Sequence, residues 1–173
     1  MKEVRSEEVF KGRVFSVRKS FFEDDGRSFS VDVVAHPGSV AVIPILDDGK
    51  IVLIEQFRPV VGRWLLELPA GTIEKESPEI CAERELLEET GYTATELKKL
   101  AEFYLAPGYS TELLHLFVAR GLSKHRQSLE EDERIKLVEV STDEARQLIR
   151  SGKVVDAKTI ASLLIFTEFY GRR

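Results

Sequence analysis

Gly71-Thr72-Ile73-Glu74-Lys75-Glu76-Ser77-Pro78-Glu79-Ile80-Cys81-Ala82-Glu83-Arg84-Glu85-Leu86-Leu87-Glu88-Glu89-Thr90-Gly91-Tyr92 is the stretch on which the fold turns. Ser77 suits a helix N-cap, Pro78 the first helical position and Gly91 the residue just past the last turn, so a helix is predicted over Pro78 to Thr90. On that helix Glu85, Glu88 and Glu89 are spaced i, i+3, i+4 and fall within an arc of about 100°. Like charges at this spacing disfavour a helix, so they call for a reason. Ile80 and Leu87 point roughly the opposite way and are expected to meet a core. Cys81 and Ala82 are small and leave room beside the carboxylates. A hard cation such as Mg²⁺ or Mn²⁺ is a physical answer, because it takes oxygen ligands and shares them with waters and phosphates. Taken alone, three glutamates on a helix are more simply a solvated acidic face, and the rest of the chain has to decide.

Outward from this helix, the chain has 173 residues, 43% hydrophobic and 32% charged, which fits one folded domain. Its 25 Lys and Arg against 30 Asp and Glu give a net charge of −5. A net-negative protein without clustered cations is a poor polyanion binder, so no nucleic-acid partner is expected. Cys81 is the one cysteine, which excludes a disulfide framework and a cysteine-based zinc site. No apolar run approaches the roughly 20 residues of a membrane span, and Met1 to Glu8 has no apolar signal core. These bounds point to a soluble, acidic, cytoplasmic protein with no membrane partner.

The first half alternates as strands do. Val14–Phe21 and Ser28–Ala35 flank Asp25-Gly26, a hairpin signal. Val40–Leu46 and Lys50–Phe57 flank Asp47-Asp48-Gly49, a second hairpin signal. Trp64–Leu68 is a short strand ending at Pro69-Ala70-Gly71. Lys99–Tyr104, Leu113–Ala119 and Arg134–Val140 are further strands, and Thr142–Arg150 and Asp156–Tyr170 read as helices. Ser123 to Glu133 is polar and reads as a loop. Strands before, between and after a few helices predict a mixed α/β domain with helices packed on sheets.

Gly71, Glu76 and the run Arg84-Glu85-Leu86-Leu87-Glu88-Glu89-Thr90-Gly91-Tyr92 together resemble the Nudix box. The pattern has five residues between its first glycine and first glutamate. Here four separate Gly71 from Glu76, which reads as a one-residue deletion in the loop before the helix. His36-Pro37-Gly38-Ser39-Val40-Ala41-Val42, Glu55-Gln56-Phe57-Arg58-Pro59, Glu67-Leu68-Pro69-Ala70-Gly71, Ala106-Pro107-Gly108-Tyr109-Ser110 and Asp156-Ala157-Lys158-Thr159 are similar to the ADP-ribose pyrophosphatase branch.

The resemblance implies an α/β/α Nudix sandwich with a mixed sheet. An N-terminal β-strand region over residues 1–38 would precede a hydrolase domain over residues 39–173. It implies a homodimer whose N-terminal strands help complete the partner's substrate site. It implies hydrolysis of ADP-ribose to AMP and ribose 5-phosphate with Mg²⁺ or Mn²⁺, two or more ions per site. Carried over by position, Glu85, Glu89 and the Ala70 carbonyl are metal ligands, Glu88 assists, and Arg84 orients the carboxylates. Gly71 and Gly91 shape the turns around the helix. The general base comes from the acidic run Glu130-Glu131-Asp132-Glu133, with Glu131 and Glu133 both open. Arg58 matches a diphosphate- or adenosine-contacting arginine and Glu67 a substrate-contacting glutamate. Where the family often has an Arg-Glu pair before His-Pro-Gly, this chain reads Val31-Asp32, which leaves base preference open. The alternatives are another nucleoside diphosphate sugar such as GDP-mannose, or a Nudix-fold sensor that binds without cleaving. His115, His36 and Cys81 are expected to be structural, since none has a ligand- or catalytically spaced partner.

Overall fold

The computed structural model describes residues 1–129 and 134–170. It opens with an antiparallel meander of β1 (Lys2–Lys11), β2 (Ser16–Asp24) and β3 (Arg27–Ala35). Asp25 at φ 46° and Gly26 at φ 76° make the predicted β2–β3 turn, both central residues being left-handed as a type I′ turn requires. β1 has no counterpart in the sequence reading. All ten of its residues are exposed, so no alternation of burial marks it. Val34 ties this sheet to the rest of the chain. Its N–H donates to Tyr109 O at 2.7 Å, and its carbonyl accepts from Thr111 N at 3.0 Å.

The remaining strands form two sheets. One has the order β7 (Ala70–Thr72), β4 (Ser39–Pro44), β9 (Leu113–Lys124), β8 (Tyr92–Tyr104); β4 and β9 run parallel and the other pairs antiparallel. The other is antiparallel, in the order β10 (Ile135–Val140), β5 (Ile51–Arg58), β6 (Arg63–Glu67). The Asp47-Asp48-Gly49 turn forms, with Leu46 N donating to Lys50 O at 2.9 Å and Gly49 at φ 83°. It does not make a hairpin within one sheet. After a single bridge between Ile45 and Ile51 the strands part, β4 into one sheet and β5 into the other. A local turn signal fixes a reversal of the chain and not the partner of the strand that follows.

All six residues of β4 are buried, and their alternation builds two cores. Ala41 and Ile43 join Leu53, Leu116, Leu163 and Phe166 beneath α2 (Thr142–Arg150) and α3 (Ala157–Phe169). Val40 and Val42 join Val52, Phe117, Cys81, Ala82 and Leu86 beneath α1 (Pro78–Thr90). Sheets thus lie between α1 on one side and α2 with α3 on the other, the α/β/α arrangement expected.

α1 has the predicted bounds, with Ser77 accepting from Ile80 N and Gly91 left-handed at φ 71°. Its buried face is the reverse of the one expected. Ile80 is 57% exposed and Leu87 half-buried, whereas Cys81, Ala82, Glu85, Leu86 and Glu89 are buried. The carboxylate arc therefore faces the protein, and the small residues on it allow the helix to sit close.

Candidate active site

The acidic helix is organised around Arg84. Its Nη1 donates to Glu85 Oε1 at 2.7 Å and to Glu88 Oε2 at 3.0 Å, and its Nη2 donates to Glu76 Oε1 at 2.8 Å. One guanidinium fork thus offsets the repulsion among three carboxylates. Burial works against the charge on Arg84, but Glu76, Glu85 and Glu88 outweigh it and hold its pKa above the ordinary arginine value. The same contact holds Glu76 at about 2. The shorter loop before the helix therefore still delivers Glu76 to Arg84.

β7 runs directly beneath these carboxylates. A Cβ on Gly71 would lie 1.8 Å from Glu85 Oε1. Gly71 thus leaves the space that the Glu85 carboxylate occupies, and the turn geometry expected of it does not apply, since it has no positive φ. Beside it, Ala70 N donates to Glu89 Oε2 at 2.8 Å. The C-terminal end of α1 is pinned by the segment after β9. Gln127 Nε2 donates to Glu89 O at 2.6 Å and Ser128 N to Glu88 O at 3.1 Å.

A second cluster lies on β5, β6 and α3. Glu67 is 1% exposed. Its Oε1 accepts from Arg58 Nε at 2.9 Å, and its Oε2 accepts from Arg58 Nη2 at 2.8 Å and from Lys158 Nζ. Burial pushes the Glu67 pKa up, but Arg58 and Lys158 overcome this and hold it below the usual carboxylate value. Hydrogen bonding to Glu67 raises Arg58 in turn. Asp156 caps α3, accepting from Thr159 N at 3.0 Å and from Lys158 Nζ at 3.0 Å.

A cleft of about 850 Å³ joins the two clusters; Arg58, Arg84, Glu85, Glu88, Glu89 and Lys158 all line it. Arg13 and Val14, from the β1–β2 loop, close one side, and Ser39 with Glu112, linked Oγ to Oε1 at 2.8 Å, another. Glu67, expected to touch substrate, lies beneath Arg58 and Lys158 and does not line the cleft. Glu131 and Glu133 lie outside the described residues. His36 accepts from Gly38 N at 3.1 Å within its turn, and His115 faces Glu102 at 3.3 Å. Burial and the nearby Glu85 push the Cys81 thiol up to about 12, so it supplies no thiolate at neutral pH.

Among the described residues no group of three or more His, Cys, Asp or Glu side chains is arranged to hold a metal ion. By chemistry, the carboxylates of Glu85, Glu88 and Glu89 on the cleft are nonetheless the donor type that a hard divalent cation takes, and the space over Gly71 admits one of them where a side chain would block it. An open set suits Mg²⁺, which takes one or two carboxylates and completes its shell with water and substrate phosphate.

Sequence reasoning overlooked Arg13, Ser39, Glu112 and Lys158 as cleft residues. Ser39 and Glu112 are far apart in sequence and carry no local signal. Lys158 did carry one: it stands in Asp156-Ala157-Lys158-Thr159, where the aspartate is an N-cap whose carboxylate accepts from the lysine two residues on.

Comparison with known proteins bears on the family and the fold. A model of the NUDIX domain matches residues 35–163. The chain is 42% identical over 165 residues to the ADP-ribose pyrophosphatase of Bacillus subtilis, spanning 91% of this chain and 88% of that protein. It is 40% identical over 166 residues to a protein of Bacillus methanolicus named methanol dehydrogenase activator, spanning 94% and 90%. A solved structure described as an ADP compounds hydrolase superposes with a TM-score of 0.84 at 24% identity, covering 97% of this chain and 92% of that one, which bears on the fold.

Two outcomes follow from the geometry. Gly71→Ala displaces Glu85 and is expected to weaken Mn²⁺ binding, measured by calorimetry, by about 10–100-fold, the range for residues that orient metal ligands. Its thermal unfolding temperature should move only a few degrees, because the displaced group borders the cleft. Glu67→Gln is expected to cost about 2–3 kcal/mol at pH 7, less than a fully buried pair because Arg58 is partly solvated. The sign with pH is fixed by the lowered Glu67 pKa. Its stabilisation is full above the ordinary value of 4.5 and is lost as pH falls through the lower folded value. Urea unfolding at pH 7 and pH 3 should therefore show a smaller drop for Glu67→Gln than for the parent.

Proposed function

The chain belongs to the NUDIX domain family, and on that premise we propose that it hydrolyses the diphosphate of ADP-ribose, releasing AMP and ribose 5-phosphate. The observation that carries this reading is the single cleft in which the α1 carboxylates, Arg58 and Lys158 all stand. A volume of several hundred Å³ with a few convergent charged groups suits a nucleoside diphosphate sugar.

In this reading Glu85 and Glu89, with the Ala70 carbonyl, hold the divalent cations, Glu88 assists, and Arg84 keeps the carboxylates in register. Mg²⁺ or Mn²⁺, two or more per site, is part of the proposal on the ground of family membership, and hard oxygen donors suit either ion. When bound, such ions neutralise phosphate charge and lower the pKa of coordinated water. The chain's own residues do the rest. Arg58 offers a planar fork to the diphosphate, and Glu67 fixes that fork from beneath. A water oxygen bonds to phosphorus, the bridging P–O bond breaks, and the water's proton passes to a carboxylate. Glu131 and Glu133 are the candidates for that base. What supports them is the anchoring of the flanking residues: Ser128 N on Glu88 O, and Arg134 O accepting from Phe57 N at 3.2 Å. A homodimer through the N-terminal sheet is part of the proposal. The exposed apolar side chains of Val4, Val9 and Phe10 on β1 support it.

The test is product analysis by chromatography with Mg²⁺ and a panel of ADP-ribose, GDP-mannose, UDP-glucose and NADH. AMP and ribose 5-phosphate are expected as the main products. Excess chelator should abolish turnover, and Glu89→Gln should lower kcat by about 100-fold or more. Preference for GDP-mannose would keep the chemistry and move the base specificity. Binding of ADP-ribose without cleavage would replace the hydrolase reading with a sensor. Glu131→Gln and Glu133→Gln, made separately, should identify the base as the variant whose rate falls by about 100-fold at neutral pH. Full rates in both would remove the base from this segment.

A further inference from the structure

We propose that Gln127 is a positioning residue: its side-chain amide holds the last turn of α1, and through that turn it keeps the Glu89 carboxylate in place on the cleft. The inference deepens the metal reading given above and rests on it for the identity of the ion. The contact itself stands on geometry.

Glu88 and Glu89 stand at the C-terminal end of α1, where the helix dipole is negative and the last carbonyls lack partners within the helix. Two carboxylates are unfavourable there, and the last turn holds no basic residue to offset them. Gly91 N donates to Leu87 O at 2.8 Å. The next two carbonyls are served by the segment that follows β9. Ser128 N donates to Glu88 O at 3.1 Å, and Gln127 Nε2 to Glu89 O at 2.6 Å. The segment is fastened ahead of Gln127 as well. His125 N donates to Gly91 O at 2.6 Å, and His125 Nε2 lies 3.1 Å from Thr93 Oγ1. It crosses so close to the helix end that a Cβ on Gly91 would lie 2.8 Å from His125 O and 3.0 Å from Gln127 N.

His125 and Ser128 reach the helix end through backbone N–H groups, which every residue but proline supplies. Gln127 reaches it through its side chain, so the contact needs a long side chain that carries a donor. Glu89 is 2% exposed and is held at two points: its carbonyl by Gln127, and its Oε2 by Ala70 N at 2.8 Å. Gln127, Glu89 and Ala70 thus form one chain of hydrogen bonds. It ends on the Glu89 carboxylate and on Ala70, both proposed above as metal ligands. A frayed helix end would spread the positions of Glu89, and a cation that demands near-ideal octahedral geometry tolerates little of that.

The experiment compares the parent, Gln127→Met and Gln127→Lys. Amide hydrogen exchange by NMR reads the Ala70 N–H, which Glu89 holds, against the Val42 N–H on Pro69 O as the reference for overall opening. Calorimetry reads Mn²⁺ binding. Gln127→Met keeps the length and removes the donor. It should speed Ala70 exchange relative to Val42 about tenfold, the equivalent of one hydrogen bond, and weaken Mn²⁺ about tenfold. Gln127→Lys keeps a long donor and should restore most of the Ala70 protection. Unchanged Ala70 exchange or unchanged Mn²⁺ affinity in Gln127→Met would overturn the proposal. So would equal acceleration at Ala70 and Val42, the mark of general destabilisation, or equal losses in the two variants. If Gln127→Met does not fold, the Gln127 side-chain amide of the parent decides by NMR. Slowed exchange of its protons supports the hold, and exchange at the rate of a free glutamine overturns it. Failure of the metal reading is distinguishable: the parent would then bind no Mn²⁺, while Ala70 exchange still decides whether Gln127 holds Glu89.

Discussion

The Glu85 carboxylate stands where any side chain at position 71 would stand, and most of the site follows from that contact. It brings α1 close to β7, which in turn demands small residues on the helix's inner face. Cys81 and Ala82 meet that demand, both fully buried. The approach also brings Glu89 within reach of Ala70 N. The residues Glu67 to Gly71 then serve as a common spine. Glu67 gathers two cations, Leu68 N reaches Thr159, Pro69 O accepts from Val42 N, Ala70 N holds Glu89, and Gly71 admits Glu85. Five consecutive residues thus connect both helix layers and both sheets, and the cleft is the space they leave between.

Electrostatics explains why this spine is costly and why it persists. A buried carboxylate pays a desolvation penalty that only close, well-directed partners offset. Glu67 has them in Arg58 and Lys158, and the α1 glutamates have Arg84. In each cluster a cation is shared or doubled, so neither relaxes into a simple one-to-one ion pair. A protein built for stability alone would fill such positions with apolar side chains.

The sequence was legible wherever local chemistry decides. Ser77, Pro78 and Gly91 bound α1, and Asp25-Gly26 made its hairpin. Legibility failed where partners lie far apart in the chain. The Asp47-Asp48-Gly49 turn looks like a hairpin, but burial sends β4 and β5 into separate sheets. β1 pairs with β2 through its backbone while every side chain stays exposed, so no hydrophobic period betrays it. Glu67 could be placed near the cleft by resemblance, yet only three dimensions reveal that it works from beneath. The acidic run at Glu131 and Glu133 is readable as composition alone.

The reversal of α1 shows how function distorts an otherwise reliable rule. Amphipathic reasoning assigns the apolar face inward and the charged face to water. Here Ile80 is mostly exposed while Glu85 and Glu89 are buried. Leu86 is the one large apolar side chain that α1 buries fully, so hydrophobic burial contributes less to seating this helix than its length would suggest. Seating must then come from directed contacts: Arg84 among the carboxylates, Ala70 N on Glu89, and Gln127 and Ser128 on the last turn. Such contacts are strong only in one geometry, which is what a site that positions charge requires. The same trade makes the helix sensitive to changes that leave an ordinary amphipathic helix intact, and it places that sensitivity at Gly71 and Arg84, not in the hydrophobic core.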